Sequence, residues 1–341
     1  MFDSTKKFSS ETNENSYLAV SFQSTKMVVS KRYFSRNQSA HQKAQSEINF
    51  EKKTYNGEMS RATKAYLRKK LDAWYMSLRY FNKHEAIKKK EKQRKLVFFT
   101  VTLSAAQRHD DNEIKREILN SFIVTMKSKN LIEHYFWRAE KQRNGNIHFH
   151  FLTDCFIHKL ELQNYWNIAQ EKLGYVTEFE VKHGHRCPPS TQIQATPQNN
   201  NVIEYLFKYI SKNDEHGKVQ GRIWGMSDKL RELQQPSAEL DTELNKVINE
   251  FSHPETKNVY QDENCMVISI CHHERLRYYQ ILERYEANVF YSANYNFLYC
   301  NTDFPINVLF PSPKPVEFVK PEWIIEKEKK EFEKNRQYSL F

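Results

Sequence analysis

The chain has 341 residues, 28% of them charged, with a formal net charge of +10 and a pI near 9.1. That balance favours a polyanionic partner, nucleic acid before a membrane surface, and the length allows two modules with their own cores. No apolar run reaches the length of a membrane span and the N-terminal stretch lacks the apolar core of a signal peptide, so a soluble, cytoplasmic protein is expected. Five cysteines, at 155, 187, 265, 271 and 300 with no CxxC pair, argue against a disulfide framework or zinc ribbon and read as reduced thiols.

In chain order, residues 1–57 are rich in Ser, Asn, Gln, Thr and Lys and contain no Trp, which predicts a flexible polar tail. Within it, residues 17–22 form one apolar stretch suited to a docked strand. Over 58–95 a basic helix is expected, because Leu67, Leu71, Trp74, Leu78 and Phe81 recur at the spacing of one helical face. Its part 61–95 holds thirteen Lys or Arg against Asp72, Glu85 and Glu91, an excess equal to that of the whole chain. Such a surface is either a DNA-backbone contact or a solvated basic face.

Residues 96–235 read as a compact domain. A buried strand is expected at 96–103, then an amphipathic helix at 111–127 carrying Ile114, Ile118, Phe122 and Met126. Strands at 134–142 and 146–153 flank Gly145. A helix at 159–172, strands at 175–182 and 191–195, and a helix at 201–212 follow. This alternation predicts an α+β fold with helices covering one sheet face. Beyond Pro236 the pattern weakens to a strand at 266–270, a helix at 273–286, and a Pro-rich piece at 304–321 before a charged terminal helix. Residues 236–341 are treated as an accessory region without an assigned role.

Two constellations carry chemistry. In the strand 146–153, His148 and His150 share one face while Ile147, Phe149 and Phe151 share the other, an arrangement that suits a metal although imidazoles also serve as plain surface or core residues. If residues 143–145 form a three-residue hairpin loop with Gly145 left-handed, Glu140 falls opposite His148 and the three side chains converge. A two-residue Asn-Gly turn would instead send Glu140 to the opposite face. This donor set suits zinc as well as a harder cation. In the helix 201–212, Tyr205, Lys208, Tyr209 and Lys212 fall on one arc opposite Ile203, Leu206, Phe207 and Ile210. The phenols are either activated nucleophiles beside cations or ordinary amphipathic surface residues.

Together these motifs resemble the HUH endonuclease superfamily, and in particular its rolling-circle replication initiators. The resemblance runs through Phe99-Thr100-Val101-Thr102-Leu103, His148-Phe149-His150 and the segment from Tyr205 to Lys212. The phrases Trp137-Arg138-Ala139-Glu140 and Arg222-Ile223-Trp224-Gly225 are similar to initiators of Bacteroidetes plasmids and single-stranded DNA phages, the latter sharing the doubled tyrosine. The resemblance implies a ferredoxin-like, RRM-like antiparallel sheet and Mg²⁺ or Mn²⁺ at His148, His150 and Glu140. It further implies attack by Tyr205 or Tyr209 on origin single-stranded DNA, with Lys208 and in reserve Lys212 steadying the phosphate. The products would be a 5′-phosphotyrosine and a free 3′-hydroxyl for a DNA polymerase. No GxxxxGK[ST] loop occurs, so a host helicase would open the strands. A relaxase or transposase would share the nick. A non-catalytic nucleic-acid binder would carry aromatic residues on the open sheet face in place of histidines.

Three further groups carry less. His183-Gly184-His185-Arg186-Cys187 has metal-ligand residue types before Pro188-Pro189, and Cys271-His272-His273 follows a strand without a partner pair. Tyr278, Tyr279, Tyr285, Phe290, Tyr291 and Tyr295 suit core packing better than base stacking. Neither oligomeric state nor origin sequence follows from the residues.

Overall fold

The computed structural model describes residues 16–33, 58–89, 95–195, 207, 216–253, 258–262, 265–284, 294–295 and 297–299. The first elements are β1 (Ser16–Gln23), β2 (Lys26–Tyr33), α1 (Arg61–Lys89) and β3 (Val97–Thr102). Then come α2 (Asp111–Ile114), a π-turn (Lys115–Leu119), α3 (Asn120–Ser128), β4 (Tyr135–Lys141), β5 (Ile147–Thr153), α4 (Lys159–Glu171), α5 (Tyr175–His183) and β6 (Thr191–Ala195). The described remainder holds β7 (Trp224–Met226), α6 (Asp228–Glu232), β8 (Ser237–Glu239), α7 (Thr242–Glu250), β9 (Val259–Gln261), β10 (Cys265–Ser269) and α8 (Arg275–Arg284). The result is α+β, with two antiparallel five-stranded sheets.

One sheet runs β6-β3-β5-β4-β7 and puts β5 at its centre. Alternation along β3, β4 and β5 sends Phe99, Val101, Ala139, Ile147, Phe149 and Phe151 to one face, where all are buried. Phe122 of α3 meets Phe151 edge-on at 5.7 Å, and Trp166 of α4 meets Phe122 at 5.3 Å and Phe149 at 6.0 Å. Each such side chain contributes roughly 1.5–3 kcal/mol of apolar burial, so this face is committed to the core, while the other carries His148 and His150 alongside buried Phe98, Phe136 and Leu152.

The predicted helix at 111–127 is interrupted by the π-turn, where the Asn120 N–H donates to the Lys115 carbonyl. Its apolar residues recur every four positions, whereas an α-helix turns in 3.6, so a regular helix would rotate them away from the core. The wider turn absorbs that drift, and Ile114, Ile118, Phe122 and Met126 are all fully buried.

Two expectations are corrected. Residues 175–182 form a helix, not a strand: left-handed Gly174 (φ +73°) redirects the chain, and Tyr175 is buried with its hydroxyl 3.2 Å from the Arg108 backbone N–H and 3.1 Å from His109 Nδ1. That anchoring overrides the strand propensity of the Tyr, Val, Thr and Phe residues. The flexible tail also fails over Ser16–Tyr33: the apolar stretch 17–22 docks as a strand, as expected, within β1, and β1 pairs with β2 as a hairpin in the second sheet, ordered β8-β1-β2-β10-β9. Strands β8, β9 and β10 come from beyond Pro236, so tail and accessory region meet in one sheet. Its core joins Val20, Phe22, Met27 and Val29 to Leu244, Ile248, Phe251, Ile268 and Tyr278.

In α1, Leu67, Leu71, Trp74 and Leu78 are buried as read; the side chain of Phe81 lies outside the described residues. Helix α1 touches both sheets: Met76 enters the second core, while Trp74 Nε1 donates to Tyr299 Oη at 3.1 Å and Tyr299 donates to buried Asp154 just after β5. Some of its cations work internally. Lys70 bonds the Leu233 carbonyl, and Arg79 lies 3.7 Å from the Tyr279 ring centroid.

Tyr278, Tyr279 and Tyr295 are core residues, whereas Tyr285, Phe290 and Tyr291 lie outside the described residues. No described helix is long and apolar enough to cross a membrane. Cys155, Cys187, Cys265 and Cys271 are not paired in disulfides.

Candidate metal centre

The β4–β5 hairpin turns through residues 143–145, with Gly145 at φ +84° and its N–H 2.8 Å from the Gln142 carbonyl. A positive φ suits glycine, which lacks a Cβ to clash. Gln142 N–H donates to the Asn146 carbonyl at 2.9 Å, and the ladder continues as Lys141 with Ile147 and Glu140 with His148. The two-residue turn that would have misplaced Glu140 is thereby excluded. A brace outside the hairpin holds this register: Asn146 Oδ1 accepts from the Gln107 backbone at 2.9 Å, and Gln107 Oε1 accepts from Ile147 N–H at 2.7 Å.

On the face opposite the aromatic core, Glu140, His148 and His150 bring one ligand atom each to within 4.8 Å of one another. Glu140 Oε1 lies 2.7 Å from His150 Nε2, and the imidazole centroids are 4.6 Å apart. Phe98, which shares this face, stacks on His150 at 5.5 Å. Among the described residues, this is the one group of three or more His, Cys, Asp or Glu side chains placed to hold a metal ion.

The electrostatics suit a cation. Burial pushes the His148 pKa down to about 4, helped by the adjacent His150 and opposed by Glu140, so His148 is neutral at pH 7 and keeps a lone pair. Burial works against the charge on Glu140, but the hydrogen bond and charge of His150, with His148 and Arg138 behind it, hold its pKa below the ordinary value. One ionised carboxylate beside a neutral imidazole is the protonation state that metal ligation needs, and the donor set therefore fits a divalent ion.

Gln142, two residues from Glu140 on the same strand face, was not singled out from sequence, although the alternation that places Glu140 also places it. Its amide lies 3.2 Å from His148 Nδ1 and 2.8 Å from the Thr102 hydroxyl. A hydroxyl both donates and accepts, so either amide orientation satisfies these contacts. With Oε1 toward Nδ1–H, the Nε2 lone pair of His148 is left for a metal.

Tyr205, Lys208, Tyr209 and Lys212 lie outside the described residues. From their segment, Phe207 is described as helical, with the Arg68 guanidinium of α1 5.1 Å from its ring centroid. In the His183–Cys187 segment, the Cys187 N–H donates to His185 Nδ1 at 3.3 Å, while Arg186 bridges Glu171 and Glu180 at 2.6 Å each. His272 and His273 open a short 3₁₀ turn. Neither segment assembles a second metal group among the described residues.

Residues 96–214 match the family described as replication-associated protein ORF2. That span, roughly a third of the chain, includes Glu140, His148, His150, Tyr205 and Tyr209. No curated protein and no solved structure matches the chain.

Proposed function

We propose that the chain is a replication initiation endonuclease of rolling-circle type, which nicks single-stranded DNA at an origin by tyrosine transesterification. The observation that carries this reading is the cofacial Glu140, His148 and His150 set, inside a segment that matches a replication-associated family.

A divalent cation held by these three residues, Mg²⁺ or Mn²⁺, would supply positive charge that polarises the scissile phosphate. Glu140 and neutral His148 are poised to bind it without first losing a proton, and Gln142 keeps the His148 ring oriented. Tyr205 or Tyr209 attacks the phosphorus through its phenol oxygen. The new bond to tyrosine forms as the bond to the 3′-oxygen breaks, and that oxygen takes up a proton. A 5′-phosphotyrosine and a free 3′-hydroxyl result. Lys208, with Lys212 in reserve, steadies the phosphate and lowers the cost of a phenolate. Because the phosphotyrosine keeps the energy of the broken ester, the second tyrosine can repeat the exchange after a round of synthesis without ATP. The priming hydroxyl serves a DNA polymerase, and a host helicase opens the duplex.

Incubation of the chain with an end-labelled origin strand and Mg²⁺, Mn²⁺ or Zn²⁺ tests this reading. Cleavage that depends on Mg²⁺ or Mn²⁺ supports it; retention of the intact strand with every metal would show a binding module instead. Resealing at the same site with replicon DNA separates an initiator from a transfer or mobility enzyme.

A further inference from the structure

A groove of about 390 Å³ lies at the β7 edge of the triad sheet, and the mechanism above does not use it. Its floor is Tyr135 and Trp137 of β4 beside Gly225 of β7. The register pairs Trp137 with Gly225, one step from Arg138 with Trp224, so this floor faces away from Glu140, His148 and His150. A Cβ at position 225 would sit 2.6 Å from Trp137 Nε1; glycine is what lets β7 lie against the buried indole.

The walls are basic. Lys115, Arg116, Arg222 and Arg231 stand against a single acid, Asp228. Lys115 is committed to structure, bonding the carbonyls of Gln220 and Arg222 from within the π-turn. Arg116 pairs with Glu117 at 2.7 Å, Arg231 with Asp228 at 3.8 Å, and Arg222 Nε donates to the Trp224 carbonyl at 2.7 Å. A guanidinium carries five N–H donors in a planar fork, so these contacts leave capacity for a phosphate. The π-turn, needed to keep the core face in register, also sets Arg116 and Asn120 along the rim.

A route joins this groove to the triad face. Among the described strands β7 pairs with β4 alone. The Arg222 guanidinium lies 5.9 Å from the Trp224 ring, and Trp224 stands opposite Arg138 on the face that carries Glu140. Cations and rings therefore continue around the edge.

We propose that this groove seats one nucleotide of the DNA strand away from the nick, with phosphates on Arg116, Arg222 and Arg231 and the base against the half-buried Tyr135, beside the Trp137 indole that β7 covers. The volume suits a single nucleotide and is too small for a duplex, and aromatic floors with cationic rims are how single strands are held without base pairing. The proposal rests on the nicking function above and adds a second contact on the far sheet face.

The test compares the full-length chain with the variant Arg116→Ala/Arg231→Ala, two exposed positions whose loss leaves the core intact. Fluorescence anisotropy measures binding of a short oligonucleotide covering the nick and of a longer one able to cross the β7 edge. The expected result is a loss of about tenfold or more for the longer strand alone, with its salt slope reduced by about 1 to 2, since each single-strand phosphate contact contributes about 0.7. Nicking of the short strand should be unchanged. Equal affinity and salt slope for both proteins would overturn the groove assignment. So would competition by free deoxynucleoside monophosphate with no advantage for the longer strand, which would indicate a small-molecule site. If neither protein nicks DNA but the longer strand still binds the variant more weakly, the nicking function fails and the groove stands.

Discussion

Glu140 is paired in register with His148, yet its carboxylate bonds His150, the next residue along the same face: Oε1 lies 2.7 Å from Nε2. The opposite partner and the diagonal neighbour are both within reach of one side chain on an antiparallel pair. One carboxylate on β4 therefore serves two imidazoles on β5.

Removal of a ligand should separate metal binding from folding. Glu140→Gln keeps the shape but not the charge, and His150→Ala removes an imidazole. Either change should lower metal-dependent nicking by at least about 100-fold, because the ion's charge acts on the reacting phosphate. Single-turnover cleavage, with circular dichroism to confirm folding, measures this; unaltered rates would remove the three residues from the mechanism.

Gln142→Ala should weaken metal binding about 10- to 100-fold, since the His148 ring loses its orienting partner. Gln142→Glu, which still accepts from Nδ1–H, should restore most of the affinity. Isothermal titration calorimetry with Mn²⁺ measures both. Equal affinity across the three proteins would mean that Gln142 does not orient the ring.

Two buried groups should give the metal-free protein opposing pH dependences. His148, held at about 4, binds fewer protons folded than unfolded; its contribution is present above about 6.5 and is lost as pH falls toward 4. Asp72 is raised to about 6, chiefly by burial and in part offset by hydrogen bonds from Ser24 and Gln235; its contribution is present below about 4 and is lost as pH rises through 6. Each shift corresponds to roughly 3 kcal/mol. In chelator, Asp72→Asn should therefore make stability climb more steeply between pH 4 and 6.5, and His148→Asn should flatten it. Denaturant midpoints against pH test both signs.

Tyr299→Phe should cost about 1–3 kcal/mol, because buried Asp154 loses its hydroxyl donor and Trp74 its acceptor. Chemical denaturation would show the loss. An unchanged midpoint would indicate that this link between α1 and the end of β5 contributes no net stability.

Much of the triad sheet was legible in sequence because its signals are local. Alternation in residues 146–153 sorts His148 and His150 from Phe149 and Phe151, and one glycine decides on which face Glu140 falls. Of the second sheet, β1 and β10 were legible as the apolar stretches 17–22 and 266–270, but their pairing and the other strands were hidden because those signals are distant. Strand β2 lies within a stretch dominated by polar residues, and the turn joining it to β1 is held by residues far along the chain: Ser24 N–H donates to Asp72 at 3.1 Å, and Tyr279 Oη donates to the Ser24 carbonyl at 3.0 Å. Helix α5 was misread for a related reason, since its strand-like composition is overruled by the burial of Tyr175 beneath residues 108–109.

The most direct measurement is the chemical identity of the bond left on DNA. After incubation of labelled origin single strand with Mn²⁺, denaturation and protease digestion, mass spectrometry of the DNA-linked peptide should find the 5′-phosphate on Tyr205 or Tyr209. The double change Tyr205→Phe/Tyr209→Phe should abolish the adduct, and each single change should show which phenol acts first. A covalent adduct that survives the double substitution, or metal-dependent cleavage that leaves no adduct at all, would contradict tyrosine transesterification.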